Sequence, residues 1–110
     1  MNLIEKNCIH GAAAIAPDAI AALLPQVAGW AIEQNHLVRS FEFKDYHGTI
    51  EFVNALAWMI HAQNHHPELT VRYRHCIVSY TTHSAGNALS ENDFICAAKA
   101  NAIYDQRAGA

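Results

Sequence analysis

Apolar residues recur along this chain with two periods, and the changes from one to the other mark out its elements. Residues 1–16 follow neither period and read as an N-terminal arm. Pro17-Asp18 favours a helix start, with proline in the first turn and a carboxylate facing the macrodipole. Ile20, Leu23, Leu24 and Val27 follow at helical spacing; Pro25 should kink or end the helix, and Gly29 should stop it. Trp30–Glu33 and Leu37–Lys44 then read as strands joined by Gln34-Asn35-His36. In the second strand Leu37, Arg39, Phe41 and Phe43 share the face expected to meet the core. Asp45-Tyr46-His47-Gly48 reads as a turn.

The strongest helical period runs from Thr49, as cap, to His65, with Ile50, Val53, Leu56, Ala57 and Ile60 as its stripe and Phe52 and Met59 flanking. Two further alternations follow: Leu69, Val71 and Tyr73, then Cys76, Val78 and Tyr80, with a turn near Arg74-His75. Ser84–Ala88 reads as a loop. Ser90 opens a last helix with Asp93 in a capping-box position, and Phe94, Ala97, Ala98 and Asn101 mark one face. This helix reaches about Tyr104, and the tail from Asp105 to Ala110 is expected to fray. The expected fold is α+β: a four-stranded antiparallel sheet with helices packed on one face, in the order α-β-β-α-β-β-α.

Composition narrows the function classes. With 110 residues, 52% of them hydrophobic and 15% charged, residues 1–110 are expected to fold as a single domain around one core. A net charge of −3 without a basic run gives no footprint for direct nucleic-acid binding. The apolar stretch from Gly11 to Ile32 is interrupted by Asp18, Pro17 and Pro25, so it reads as core and not as a membrane span. Three cysteines, widely spaced and without a Cys-x-x-Cys pair, fit reduced thiols in a soluble cytoplasmic protein. Cys76, Cys96, Trp58 and Tyr73 all fall at positions where packing is the expected role.

The chemistry concentrates in His61-Ala62-Gln63-Asn64-His65-His66-Pro67. If the helix continues, His61 and His65 stack on one face, and Pro67 stops the helix near His66. The His-x-x-x-His spacing suits helical zinc ligands, but no glutamate, cysteine pair or nearby carboxylate completes a set, so no metal is expected. An acid–base site is the better reading. His83 ends the fourth strand and Asp93 starts the last helix; both can converge with His65 and His66 at one end of the sheet. The residues alone leave an acid–base enzyme and a plain binding domain both open.

His61-x-x-x-His65-His66-Pro67, Tyr73, Thr82-His83 and Leu89-Ser90-Glu91-Asn92-Asp93-Phe94 together resemble the pterin-4a-carbinolamine dehydratase family, over residues 17–104. The resemblance implies dehydration of 4a-hydroxytetrahydropterins to the quinonoid dihydropterin, which recycles the pterin of aromatic amino-acid hydroxylases such as phenylalanine hydroxylase. It implies no metal and no cofactor. It makes His65 and His83 the proton-transfer residues, His66 a group that polarises the pterin, and Asp93 a group that orients a histidine or binds substrate. Pro67 would shape the pocket, and Asn64, Thr81 and Thr82 would hydrogen-bond the ring, with His61 beside them. It also implies a homodimer or homotetramer. Some members act instead as dimerisation partners of a transcription factor, so a non-catalytic coactivator-like module is the alternative. Three departures stand out: His61 where an acid is common, Leu69 where an aromatic is common, and a loop lengthened at Asn87-Ala88.

Overall fold

The computed structural model describes residues 2–107. Helix α1 (Pro17–Leu23) ends in a 3-10 turn at Leu24–Gln26, as Pro25 requires, and is followed by β1 (Ala31–Glu33), β2 (His36–Glu42) and helix α2 (Tyr46–Gln63). Strands β3 (Glu68–Val71) and β4 (His75–Tyr80) and helix α3 (Glu91–Asp105) complete the chain. The strands form one antiparallel sheet in the order β1-β2-β4-β3. The expected α+β order is therefore the observed one. Residues 108–110 of the tail expected to fray lie outside the described residues.

Register explains where the core sits. Leu37 pairs with Tyr80 and Phe41 with Cys76, and with Val78 these residues form one fully buried face of the sheet. Phe52, Leu56 and Met59 of α2 and Phe94, Ile95, Ala97 and Ala98 of α3 pack onto that face. The β1–β2 turn is only Gln34-Asn35, both with positive φ (50° and 65°), which is the two-residue geometry that matches strand twist. His36 therefore belongs to β2.

Several boundaries and faces differ from those expected. Asp45, not Thr49, caps α2, accepting the Gly48 N–H at 2.9 Å, so Tyr46-His47-Gly48 is helix and not turn. Thr49 is buried, its hydroxyl within reach of the Asp45 and Tyr73 carbonyls at 3.1 and 3.0 Å. The buried stripe of α2 is Thr49, Phe52, Leu56 and Met59. Ala57 and Trp58 are exposed, the indole by 79%, so Trp58 is not a packing residue of this chain's core. Tyr73 is also outside the core: β3 ends at Val71, and a turn closed by the Arg72 N–H to His75 carbonyl bond (2.8 Å) carries Tyr73 into solvent. There it stacks on Tyr46 at 6.1 Å.

The arm is more structured than its lack of period suggests. Residues Leu3–Glu5 form a 3-10 turn against α3, with Leu3 buried. Further along, Ala12 is buried, and the Ile15 N–H bonds the Leu89 carbonyl at 3.0 Å.

Candidate active site

Helix α2 stops at Gln63 because Asn64 adopts the left-handed conformation (φ 50°, ψ 42°), which asparagine tolerates better than most residues. The helix thus ends two residues before Pro67 can act. His65 leaves the helical path, and the expected face shared by His61 and His65 does not form. His61 remains exposed on the last turn of α2. The His-x-x-x-His spacing is consequently not a helical ligand pair, and among the described residues no group of three His, Cys, Asp or Glu side chains is placed to hold a metal ion.

His65 turns inward instead. Its Nε2 lies 2.7 Å from Asp93 Oδ1, with the histidine side chain 13% exposed and the aspartate fully buried. The other carboxylate oxygen, Oδ2, accepts the Ser90 N–H at 2.9 Å, part of the capping box that starts α3. It also accepts the Thr82 hydroxyl at 2.8 Å, and Thr82 Oγ1 lies 2.7 Å from Ser90 Oγ. These hydrogen bonds offset the cost of burying a polar group. One side chain therefore caps α3, ties it to the end of β4 and orients an imidazole. With the carboxylate oxygen accepting, His65 has Nδ1 left as its free nitrogen. The Tyr80 ring stacks on the His65 ring at 5.1 Å with 16° between planes and limits its rotation.

A cleft of about 190 Å³ opens in front of this pair. Asn64, His65 and His66 come from the α2–β3 junction, Thr81, Thr82, His83 and Ser84 from the exit of β4, and Asn92 from α3. Ile9, His10 and Gly11 of the arm complete it. His83 is exposed in a short 3-10 turn (His83–Ala85), its Nδ1 2.6 Å from Asn87 Oδ1. With the amide oxygen accepting, His83 has Nε2 as its free nitrogen. The Ser84–Leu89 loop is closed by a Thr82–Ala88 bridge. Thr81 gives its hydroxyl to the Asn35 carbonyl at 3.0 Å.

Of the residues singled out in the sequence, His65, His66, His83, Asn64, Thr81 and Thr82 line one cleft, while Asp93 stands behind its wall. His61 and Pro67 do not line it. Ser90, Tyr80, Asn92 and the arm were not foreseen there. Tyr80 was legible as inward-facing but not as a neighbour of His65, and nothing in the arm's composition marks it. A larger hollow of about 590 Å³ lies between the start of α2 and the end of α3. Its only imidazole is the exposed His47, paired with Glu51 at 3.6 Å. Volume alone does not choose the site; the titratable side chains that converge on the smaller cleft do.

An antiparallel sheet backed by helices, with a carboxylate-held histidine and a second histidine lining one small cleft, makes this a small α+β domain with a histidine-lined cleft at one end of its sheet. The chain belongs to the pterin 4 alpha carbinolamine dehydratase family, whose model matches residues 13–103. It is 53% identical over 89 residues to a Xanthomonas campestris pv. campestris protein named "Putative pterin-4-alpha-carbinolamine dehydratase", covering 79% of this chain and 75% of that one. A Bdellovibrio bacteriovorus protein of the same name is 48% identical over 104 residues, 92% of this chain and 87% of its own. Among solved structures, the transcriptional coactivator/pterin dehydratase from Brucella melitensis superposes with a TM-score of 0.78 at 30% identity, covering 83% of this chain and 98% of that one.

Proposed function

We propose that this protein dehydrates 4a-hydroxytetrahydropterin to the quinonoid dihydropterin, with His65 and His83 moving the protons. The observation that carries the reading is the Asp93–His65 pair at 2.7 Å, set beside His83 in one cleft. The hydroxyl leaves from a carbon next to a ring nitrogen whose electrons assist its departure. One imidazolium protonates the departing oxygen, and one neutral imidazole accepts the proton from that nitrogen. The two histidines supply one free ring nitrogen each, fixed by Asp93 and by Asn87. His66, Asn64 and the Thr81–Thr82 edge hold the flat ring. The cleft is smaller than the roughly 300–1,000 Å³ of drug-sized sites, which suits a bicycle whose side chain lies in solvent. The reaction needs no metal or cofactor, serves the pterin cycle of aromatic amino-acid hydroxylation, and is run by a homodimer or homotetramer.

A rapid-mixing ultraviolet assay of 4a-hydroxytetrahydropterin dehydration tests this reading. Acceleration by the wild type is expected, with His65→Ala and His83→Ala each losing on the order of 10²–10⁴-fold, the range of a positioned acid or base. Normal rates in both variants would remove the assignment. The coactivator part of the Brucella protein's name keeps a second reading in play. A folded protein that leaves the uncatalysed rate unchanged would favour a protein-interaction module.

A further inference from the structure

Behind the His65–Asp93 pair the structure brings together two cysteines that the proposed reaction does not use. Cys8 Sγ of the arm lies 3.5 Å from Cys96 Sγ of α3, although the residues are far apart in the chain. Cys8 is half-buried and Cys96 fully buried. The arm is held on both sides of this contact. The Cys8 N–H donates to Gln63 Oε1 at 2.7 Å, the Ile9 N–H to Asn92 Oδ1 at 3.1 Å, and Asn92 Nδ2 to the Ile9 carbonyl at 2.8 Å. The third cysteine, Cys76, is buried in β4.

We propose that Cys8 and Cys96 form a reversible disulfide that clips the arm to α3 and fixes the Ile9–Gly11 wall of the cleft. A disulfide needs its sulfurs about 2.05 Å apart. The two thiols therefore have to approach by about 1.5 Å, within the reach of side-chain rotation and a small shift of the arm.

The chemistry follows from the environments of the two thiols. Cys8 is the more accessible partner, and the hydrogen bond from Cys96 lowers its pKa, so of the two it more readily supplies the thiolate that reacts with a peroxide. Its sulfur attacks hydrogen peroxide, the O–O bond breaks, and Cys8 becomes a sulfenic acid as hydroxide departs. Cys96 then attacks that sulfur, the S–O bond breaks, and the oxygen leaves as water with the thiol's proton. The peroxide is the two-electron oxidant, and a dithiol returns both thiols to the reduced state. Cys96 is held protonated chiefly by its hydrogen bond to Cys8 and then by burial. Conversion of Cys8 to the neutral sulfenic acid removes the first of these restraints.

This inference stands apart from the pterin reading, and its test does not depend on activity. The full-length protein is treated with hydrogen peroxide and mapped by chymotryptic mass spectrometry, with and without dithiothreitol. The expected result is a loss of two hydrogens, a Cys8–Cys96 linked peptide, a free Cys76, and complete reversal by the dithiol. Cys8→Ser should retain both remaining thiols, and amide exchange over residues 7–12 should slow in the oxidised wild type. The wild type overturns the proposal if its three thiols survive, if Cys8 goes to sulfinic acid with Cys96 still free, or if exchange in the arm is unchanged. Cys8→Ser replaces a half-buried residue, so the comparison does not depend on a substitution at the buried Cys96.

Discussion

At the scale of single residues the site rests on Asp93, which meets three donors from three different stretches of chain while fully buried. Replacing one carboxylate oxygen by an amide turns an acceptor into a donor facing other donors. Asp93→Asn is therefore expected to cost about 2–4 kcal/mol in urea unfolding and on the order of 10²-fold in turnover. Stability and rate close to wild type would show that the network is dispensable. Tyr80 offers the opposite case. Its ring stacks on His65, but its buried hydroxyl makes no hydrogen bond of good geometry among the described residues, with only the Cys96 thiol beside it. Tyr80→Phe retains the ring and removes the unpaired oxygen, so stability should stay within about 1 kcal/mol of wild type or rise, at unchanged turnover. A loss of more than that would mean that the hydroxyl is held after all, with Cys96 as the neighbour to suspect. The histidines and Asp93 were legible in the sequence because imidazole and carboxylate carry recognisable chemistry. The contact of Tyr80 with His65 was not, because strand alternation assigns a face and says nothing of what leaves a helix to meet it.

At the scale of elements, what was legible depended on how many solutions a pattern allows. Alternation has two, and β2 and β4 fell on the expected face. Helix α2 was ambiguous because Ile50, Val53, Leu56, Ala57 and Ile60 satisfy the helical period as well as Thr49, Phe52, Leu56 and Met59 do, with Leu56 common to both sets. The larger side chains of the second set fill the space above the sheet, leaving Trp58 in water. Trp58→Lys is thus expected to change stability by less than about 0.5 kcal/mol, measured by urea unfolding at low protein concentration. Gly29 is the reverse, a surface glycine that the fold requires. It adopts φ +86°, and a Cβ there would lie 2.8 Å from the Arg39 guanidine. That guanidinium is itself fixed, 2.6 Å from Asn101 Oδ1 and over the Phe41 ring at 4.3 Å. Gly29→Ala should cost at least about 1 kcal/mol, combining the left-handed backbone with the displaced arginine. Equal stability would mean that Arg39 yields without loss.

At the scale of the whole molecule the cleft is a meeting of four stretches: the arm, the α2–β3 junction, the exit of β4 and the start of α3. The last three lie within the family match, whereas Ile9, His10 and Gly11 precede it. The two histidines proposed to move protons, and the groups that hold them, thus lie within the matched residues, and the arm adds a wall to the cleft. That division predicts how removal of residues 2–11 should act. Stability should fall by at least about 2 kcal/mol, because Leu3 loses its place against α3 and Asn92 loses its two bonds to Ile9. The Lys6–Glu91 bridge, with both side chains more than a third exposed on average, adds little. His65, Asp93, Thr82 and His83 make none of their hydrogen bonds to the arm, so kcat should change less than threefold or so while KM rises by about tenfold, the signature of lost uniform binding. Steady-state dehydration kinetics on the truncated protein, run where urea unfolding shows it folded, decide the point. A large fall in kcat at constant KM would mean that the arm acts on the transition state, with His10, the one imidazole it brings to the cleft, as the group to examine.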